Sequence, residues 1–131
     1  MAGTIVADTL THSTAGSITT NYVVNGSAKA WVNFTQVSTQ TVRGSLNISS
    51  ITDAGTGRTY PISFSSSMSD SNYAGSLFQN SAVNTGYADF DNNYTGGLGT
   101  RITTSCGIRA FGSSGDIDSS ICDLIIHGDL A

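Results

Sequence analysis

The segment from Asn25 to Phe64 alternates apolar and polar side chains with a period of two, and this pattern most constrains the fold. Such alternation, interrupted by Asn-Gly and glycine-rich turns, is typical of antiparallel strands with one buried face. Asn25-Gly26 predicts a tight hairpin, and residues 53–57 predict a second turn. We expect three strands here, forming one sheet on which the others assemble. The residues predicted to share buried faces are Ala28, Ala30, Val32, Phe34, Val42, Leu46 and Ile48.

Similar patterns elsewhere predict an all-β protein. Further strands are predicted from residues 4–10, 17–24, 72–78, 101–111 and 120–127, and residues 87–91 are predicted to form either a short strand or a loop that buries aromatic side chains. The residues predicted on one face of segment 101–111 are Ile102, Thr104, Cys106, Ile108 and Ala110, and those predicted inward in segment 120–127 are Cys122, Leu124 and Ile126. No segment has the 3.6-residue apolar spacing of a helix of three turns. Pro61 cannot donate a hydrogen bond to a neighbouring strand, so its strand is expected at a sheet edge or at a bulge. Eight or nine strands at short intervals indicate an antiparallel β-sandwich, jelly-roll-like, formed as a single domain by residues 1–131.

The composition indicates a neutral polar surface. Charged residues make up 11% of the chain, the net charge is −4, and Ser and Thr together exceed a quarter of the residues. The five Lys and Arg residues are scattered, whereas a nucleic-acid-binding protein needs a basic stripe to neutralise phosphates. A membrane-spanning helix needs about 20 apolar residues, and no apolar run in the chain approaches that length. Residues 1–6 lack the features of a secretory signal. We therefore expect a protein made in a cytoplasm that binds neither nucleic acid nor membrane.

No motif predicts catalysis, a metal site or a cofactor. There is no Gly-x-Ser-x-Gly sequence after a strand, and His12 and His127 are expected at the surface. The Asp-x-Asp pairs at residues 89–91 and 116–118 would each place two carboxylates on one strand face, where they would bind Ca²⁺ or flank a sugar. Neither pair has the full ligand set of a calcium loop, so solvated loop carboxylates are the favoured interpretation.

The two cysteines suggest a cross-strand pair. If the turn at residues 112–115 centres a hairpin near Ser114, Cys106 and Cys122 lie opposite each other on neighbouring strands. At a non-hydrogen-bonded position they would be close enough for a disulfide. The alternative is two buried thiols that pack as small apolar side chains in a reducing compartment. A zinc site is not expected, because neither cysteine has a neighbouring histidine.

Four residues form a candidate interaction surface. Trp31 and Lys29 are predicted on the strand face opposite Phe34, where an aromatic ring would stack on a sugar or on a neighbouring subunit. The alternative for Trp31 is a core position against a second sheet. Phe90 and Tyr94 lie in an irregular region rich in aromatic and Asp residues, and they complete the candidate surface.

Three segments resemble a family of small virion proteins of marine and cyanobacterial tailed phages. They are residues 24–34 (Val-Asn-Gly-Ser-Ala-Lys-Ala-Trp-Val-Asn-Phe), residues 44–57 and residues 68–74. Members of that family often end much as this chain does, at residues 128–131, but they often have a glycine-rich turn where this chain has residues 35–40. Related modules are described as tail-fibre-like or structural. The resemblance therefore implies a component of a particle, with no catalytic motif to transfer.

The resemblance and the absence of catalytic motifs together predict an exterior virion protein rather than an enzyme. We expect a capsid decoration (cement) protein, a homotrimer bound to the major capsid protein, because the chain has no coiled coil or shaft repeat of the kind a tail fibre needs. The alternative is a short tail-fibre or receptor-binding tip that contacts host glycan through Trp31 or residues 89–94. A polysaccharide-degrading enzyme is disfavoured, because the chain has no Glu and no cleft of positioned acids is predicted.

Overall fold

The computed structural model describes residues 3, 6–80, 86–91 and 101–131, and it confirms the predicted all-β class. These residues contain more and shorter strands than the eight or nine predicted. The strands are β1 (Thr9–His12), β2 (Gly16–Thr19), β3 (Ala30–Thr35), β4 (Thr41–Leu46), β5 (Ile48–Asp53), β6 (Arg58–Phe64), β7 (Ala74–Asn80), β8 (Tyr87–Phe90), β9 (Arg101–Ile102), β10 (Ser105–Gly112), β11 (Gly115–Asp116) and β12 (Ile121–His127). One short helix, α1 (Thr20–Gly26), accompanies them in the described part of the chain.

Two antiparallel sheets form the body of the protein, as predicted for a sandwich. One sheet has the strand order β4-β3-β12-β7. The other follows the order β11-β10-β6-β5, with β8 and β9 also paired to β10. Strands β1 and β2 form a separate two-stranded sheet. The jelly-roll topology remains a prediction.

Side chains from both sheets meet in one buried cluster. Because successive residues of a strand point to opposite faces, alternate residues of β3, β10 and β12 lie in this core. These residues are at most 1% exposed, and they are Ala30, Val32, Phe34, Cys106, Ile108, Cys122, Leu124 and Ile126. The Tyr73 ring packs edge-on against Phe64, with 5.8 Å between ring centroids.

The prediction that residues 25–64 form one sheet is wrong, because the chain changes sheets at Asn47. Asn47 has a φ of +57°, a left-handed conformation that Asn adopts more readily than most residues. Its side-chain amide accepts a hydrogen bond from the Ser66 backbone N–H at 2.7 Å and donates to the Ser66 carbonyl at 3.0 Å. Strand β4 therefore ends in one sheet and β5 begins in the other. Val42 and Leu46, both expected on a buried face, are 39% and 49% exposed.

The predicted strand over residues 17–24 and the Asn25-Gly26 hairpin are also wrong. Strand β2 ends at Thr19, and the next residues form α1. At the end of this helix the Val23 carbonyl accepts a hydrogen bond from the Ser27 N–H at 3.2 Å. No strand lies beside residues 20–24 to accept ladder hydrogen bonds in the described structure. A helix satisfies its backbone groups internally, so it replaces the strand where no partner strand is present.

Pro61 lies at a bulge, one of the two predicted positions, and the edge alternative is wrong. Strand β6 is flanked by β10 and β5. Between the paired positions of Thr59 and Ile62, the two residues Tyr60 and Pro61 oppose only Gly107 of β10. The bulge accommodates the missing proline donor inside a sheet.

Candidate interaction surfaces

Residues 6–26 form an N-terminal arm that contains β1, β2 and α1 but no buried residue. An isolated two-stranded hairpin is at best marginally stable in water. Helices shorter than about 12 to 15 residues are likewise marginal without tertiary packing, and α1 has 7. The arm nevertheless exposes large apolar side chains, which are Val6, Leu10, Ile18, Tyr22, Val23 and Val24. Such a segment gains most of its stability when another surface covers it.

The hairpin of the arm has one apolar face and one hydroxyl-rich face. Leu10 pairs directly with Ile18, and each side chain is 45% exposed. On the other face the hydroxyl groups of Thr11 and Ser17 are 3.0 Å apart. The turn is closed by His12, whose Nδ1 accepts the Ala15 N–H at 3.1 Å. His12 is exposed, as predicted, and its ring has a structural role in the turn.

An open groove of about 730 Å³ separates α1 from the C-terminal segment. Val23 and Val24 line one side of this groove, and Leu130 lines the other. The Lys29 amine donates hydrogen bonds to the Val24 carbonyl and, at 2.8 Å, to the Ser27 hydroxyl. Lys29 is therefore directed to the end of α1, and it precedes β3, which begins at Ala30.

The outer face of the four-stranded sheet carries a row of exposed apolar side chains. Trp31 pairs with Leu46 on one side and with Ile125 on the other, and Phe78 lies on the same face of β7. The exposed fractions of the four side chains are 38% (Trp31), 49% (Leu46), 41% (Ile125) and 58% (Phe78). We call these four residues the outer face. Trp31 thus lies on the face opposite Phe34, as predicted, and not in a core.

The outer face also contains one hydrogen-bonded polar pair. The Asn33 side-chain amide donates to the Asp123 carboxylate at 2.5 Å, across paired positions of β3 and β12. The sequence pattern predicts Leu46 on a buried face of the first sheet, and it assigns no sheet to the strands of Ile125 and Phe78, so the outer face was not predicted. For β12 a signal was available. The alternation along the strand places Ile125 on the face opposite the predicted inward residues.

Phe90, another predicted surface residue, does not join Trp31 on the outer face. Phe90 is half-buried and packs against the core, with its ring centroid 6.5 Å from that of Tyr73 and 5.2 Å from the Arg101 guanidinium carbon. A Cβ added at Gly75 would lie 2.4 Å from the Phe90 ring, so the ring fills the space over β7. Tyr94 lies outside the described residues.

Charged residues at one end of the six-stranded sheet form an ion-pair network. Asp91 is 1% exposed, and its carboxylate lies 3.1 Å from Arg58 Nη1. Asp116 bridges two arginines, accepting from Arg58 Nε at 3.0 Å and from Arg109 Nε at 2.6 Å. The prediction of solvated loop carboxylates is therefore wrong for Asp91 and Asp116. Asp89 is exposed, as that interpretation expects, but it lies on strand β8 and not in a loop.

Two opposing effects act on the Asp116 carboxyl group. Burial alone would raise the pKa of Asp116, but hydrogen bonds and charges from Arg109 and Arg58 outweigh it and hold this pKa below its ordinary value of 3.8. In the described structure no three His, Cys, Asp or Glu side chains are grouped so that they could hold a metal ion. The ion pairs connect β6, β10 and β11 with the residue that follows β8.

A buried polar cluster beside this network was not predicted. Gln36 is 1% exposed, its amide donates to the Thr59 hydroxyl at 3.1 Å, and its carbonyl accepts the Ser119 N–H at 3.2 Å. Thr59 in turn donates to the Gln40 side chain at 2.9 Å. These bonds link the β3–β4 loop to β6 and to the segment before β12, so both sheets are fixed at this end. Nothing in the sequence distinguished the two glutamines from ordinary loop residues.

The predicted cross-strand register of the cysteines is wrong. Cys106 lies on β10 opposite Ile62, whereas Cys122 lies on β12 between Phe34 and Gln79, in the other sheet. The hairpin after β10 extends only through β11, and the chain then crosses to the four-stranded sheet. Both cysteines are free and fully buried. Burial raises the pKa of Cys106 to about 12 and that of Cys122 to about 11.

The comparisons with known proteins identify no relative. No protein-family profile, curated protein or solved structure matches the chain. Among the described residues, no helix has both the length and the apolar character needed to cross a bilayer.

Proposed function

We propose that this chain is a non-catalytic structural protein on the exterior of a phage virion, most simply a capsid decoration protein. In this role it binds the major capsid lattice as a homotrimer. The observation that carries the proposal is the N-terminal arm, an ordered segment of apolar and hydroxyl side chains that its own body leaves uncovered. A segment of this kind suits a protein whose working state is an assembly.

The character of the exposed surfaces supports a permanent contact. The arm contains one charged residue, Asp8, and on the outer face Trp31, Leu46, Ile125 and Phe78 surround the Asn33–Asp123 pair. Protein interfaces are depleted of charge at their centre and enriched in aromatic residues, and lasting interfaces are the more apolar ones. A transient contact steered by charge would call for complementary charged patches instead.

The rigidity of the sandwich supports a structural role for this protein. The Arg58–Asp91 and Arg58–Asp116 ion pairs and the buried Gln36 cluster join separate strands at one end of the molecule. Fully satisfied buried polar networks rigidify a core and specify one arrangement of its elements. A rigid body with an uncovered arm fits a component that cross-links a particle surface.

A second candidate is a short fibre or receptor-binding tip that contacts host glycan. The outer face favours it, because the exposed Trp31 ring lies beside the Asn33 amide and the Asp123 carboxylate. An aromatic ring offers an apolar platform for a sugar, and amide and carboxylate groups bond its hydroxyl groups.

Copy number in purified virions tests the proposal. A decoration protein on a capsid lattice is expected in hundreds of copies per particle, whereas a tail-fibre protein is expected in about a dozen. The measurement is a stained gel of purified particles, calibrated against the major capsid protein. Absence of the chain from the particles contradicts both candidates. Binding of the isolated protein to a glycan array, lost in Trp31→Ala, would favour the receptor-binding tip.

A further inference from the structure

We infer that the N-terminal arm of one copy docks onto the outer face of the four-stranded sheet of a second copy. The inference rests on the proposed assembly role and deepens it, because it names both surfaces and the partner. It concerns the residues 6–26 of the arm and the outer face defined by Trp31, Leu46, Ile125 and Phe78.

The arm has the size and the composition of one side of an interface. Standard protein interfaces involve about 20 to 30 residues on each side, and the arm spans residues 6–26 with every residue at least partly exposed. Its apolar side chains lie on regular secondary structure. Leu10 and Ile18 form a cross-strand pair, and Val23 and Val24 are adjacent on α1. Docking would bury the exposed part of these side chains, and removal of apolar surface from water is the dominant favourable term in most protein association.

The outer face offers the matching surface. Its apolar row crosses three strands, from Leu46 through Trp31 to Ile125, and Phe78 extends it onto the fourth. The one carboxylate between them, Asp123, already accepts a hydrogen bond from Asn33. Covering this face would therefore leave the Asp123 carboxylate with its hydrogen-bond partner.

Charge favours a second copy as the occupant. Two copies with net charge −4 repel each other at long range, so they meet most easily through surfaces that carry little charge. The arm and the outer face are such surfaces, and each chain has one of each. If two outer faces packed together, the arms would remain uncovered. An arm-to-face contact covers both apolar sets, and a head-to-tail contact of this kind forms a ring, as in a trimer, when the rotation between copies closes.

Cross-linking between full-length variants tests the contact. One protein carries Ala15→Cys at the tip of the arm, a second carries Ser76→Cys beside Ile125 on the outer face, and the two have tags of different size. The buried Cys106 and Cys122 do not compete for a flexible bis-maleimide. We expect a product that joins the two different chains. Thr52→Cys, exposed on β5 of the other sheet, is the control and is expected to join to neither.

Each other cross-linking outcome overturns the inference. Products that join Ser76→Cys chains to each other would mean that two outer faces pack together. Products that join Ala15→Cys chains to each other would mean that arms pair with arms. A mixed product no more abundant than that formed with Thr52→Cys would mean that no specific contact exists.

Sedimentation of the purified protein gives an independent measurement. We expect the unmodified chain to form a closed oligomer, and either Ile18→Ser or Phe78→Ser to weaken self-association at least about tenfold. Val37→Ser, which changes an equally exposed apolar residue outside both surfaces, should leave the oligomer unchanged. Cooperative thermal unfolding of each variant shows that it is folded.

The two proposals fail separately. An unmodified chain that sediments as a monomer at all concentrations overturns the arm-to-face contact, even if virions contain hundreds of copies. Self-association through the arm, in a protein missing from virions, contradicts the virion role and leaves the contact intact.

Discussion

The indole ring of Trp31 covers Gly44 on the neighbouring strand. Two carbons of the ring, Cη2 and Cζ3, each lie 3.3 Å from the position that a Cβ of Gly44 would occupy. Gly44 pairs with Asn33, and Trp31 pairs with Leu46, so the ring lies diagonally across β4. The absence of a side chain at Gly44 thus gives the ring a flat surface on which to rest. Trp31 is packed on one side and open to solvent or a partner on the other.

The packed side of this ring predicts a moderate loss of stability in Trp31→Ala. Truncation of a fully buried aromatic side chain costs about 3 to 5 kcal/mol. Because Trp31 is 38% exposed, we expect a smaller loss, about 1 to 2 kcal/mol, in the free energy of unfolding measured with urea at fixed protein concentration. Phe78→Ala, at 58% exposure, is the control and should cost less. A loss below about 0.5 kcal/mol for Trp31→Ala would contradict the packing described.

Asp91→Asn should destabilise the protein strongly. The carboxylate is 1% exposed and pairs with Arg58, so its neutralisation removes one of the two carboxylates that the half-buried guanidinium bonds. Loss of one partner of a buried ion pair costs about 3 to 5 kcal/mol, and because Arg58 keeps its bond to Asp116, we expect about 2 to 3 kcal/mol. The matched control is Asp89→Asn, which makes the same change two residues away at an exposed position. Equal losses for the two variants, in urea unfolding, would contradict a special role for Asp91.

Stability should fall in acid through Asp116. Its pKa in the folded protein is held below 3.8, so as the pH falls the unfolded chain takes up the proton first. The contribution of Asp116 is therefore present above about pH 4 and is lost as the pH falls through its folded pKa. We expect the difference in unfolding free energy between the unmodified protein and Asp116→Asn to be constant from about pH 6 to 7 and to shrink below about pH 4. A difference independent of pH down to about pH 3 would show that the ion pairs contribute nothing.

Cys106 and Cys122 should resist alkylation in the folded protein. Both thiols are 0% exposed, and burial raises their pKa values well above that of a free cysteine, so little thiolate is accessible at neutral pH. Iodoacetamide should modify neither cysteine in native buffer and both in denaturant, as measured by intact mass. Thr52→Cys supplies an exposed thiol outside both proposed surfaces, and it should react under the same native conditions. A mass that shows a disulfide without reductant would contradict the free thiols.

The buried sides of β3, β10 and β12 were predicted correctly from local alternation, whereas that of β4 was not, since Val42 and Leu46 are exposed. Side chains of a strand alternate between its two faces, so a run such as Ala30, Val32 and Phe34 identifies its own buried side. The same holds for β10 and β12, whose predicted inward residues Cys106 and Leu124 are fully buried. Trp31 was likewise predicted correctly on the opposite face of its strand.

Predictions that required knowledge of a partner strand were wrong. The Asn25-Gly26 dipeptide is typical of a hairpin, but here the residues directly before it are helical, and the dipeptide ends α1. Cys122 follows a genuine turn at residues 112–115, yet its strand pairs in the other sheet. Asp91 has the sequence context of a loop carboxylate, and only the approach of Arg58 along a different part of the chain makes it a buried ion.

The sequence by itself determined the all-β class, because the period of two is a property of one extended strand. Only the tertiary structure decided which sheet each strand joins, and with it the exposure of Leu46, Ile125 and Phe78 and the isolation of the arm. Pairing of strands depends on contacts between residues far apart in the chain, and the parity of a single strand carries no information about them.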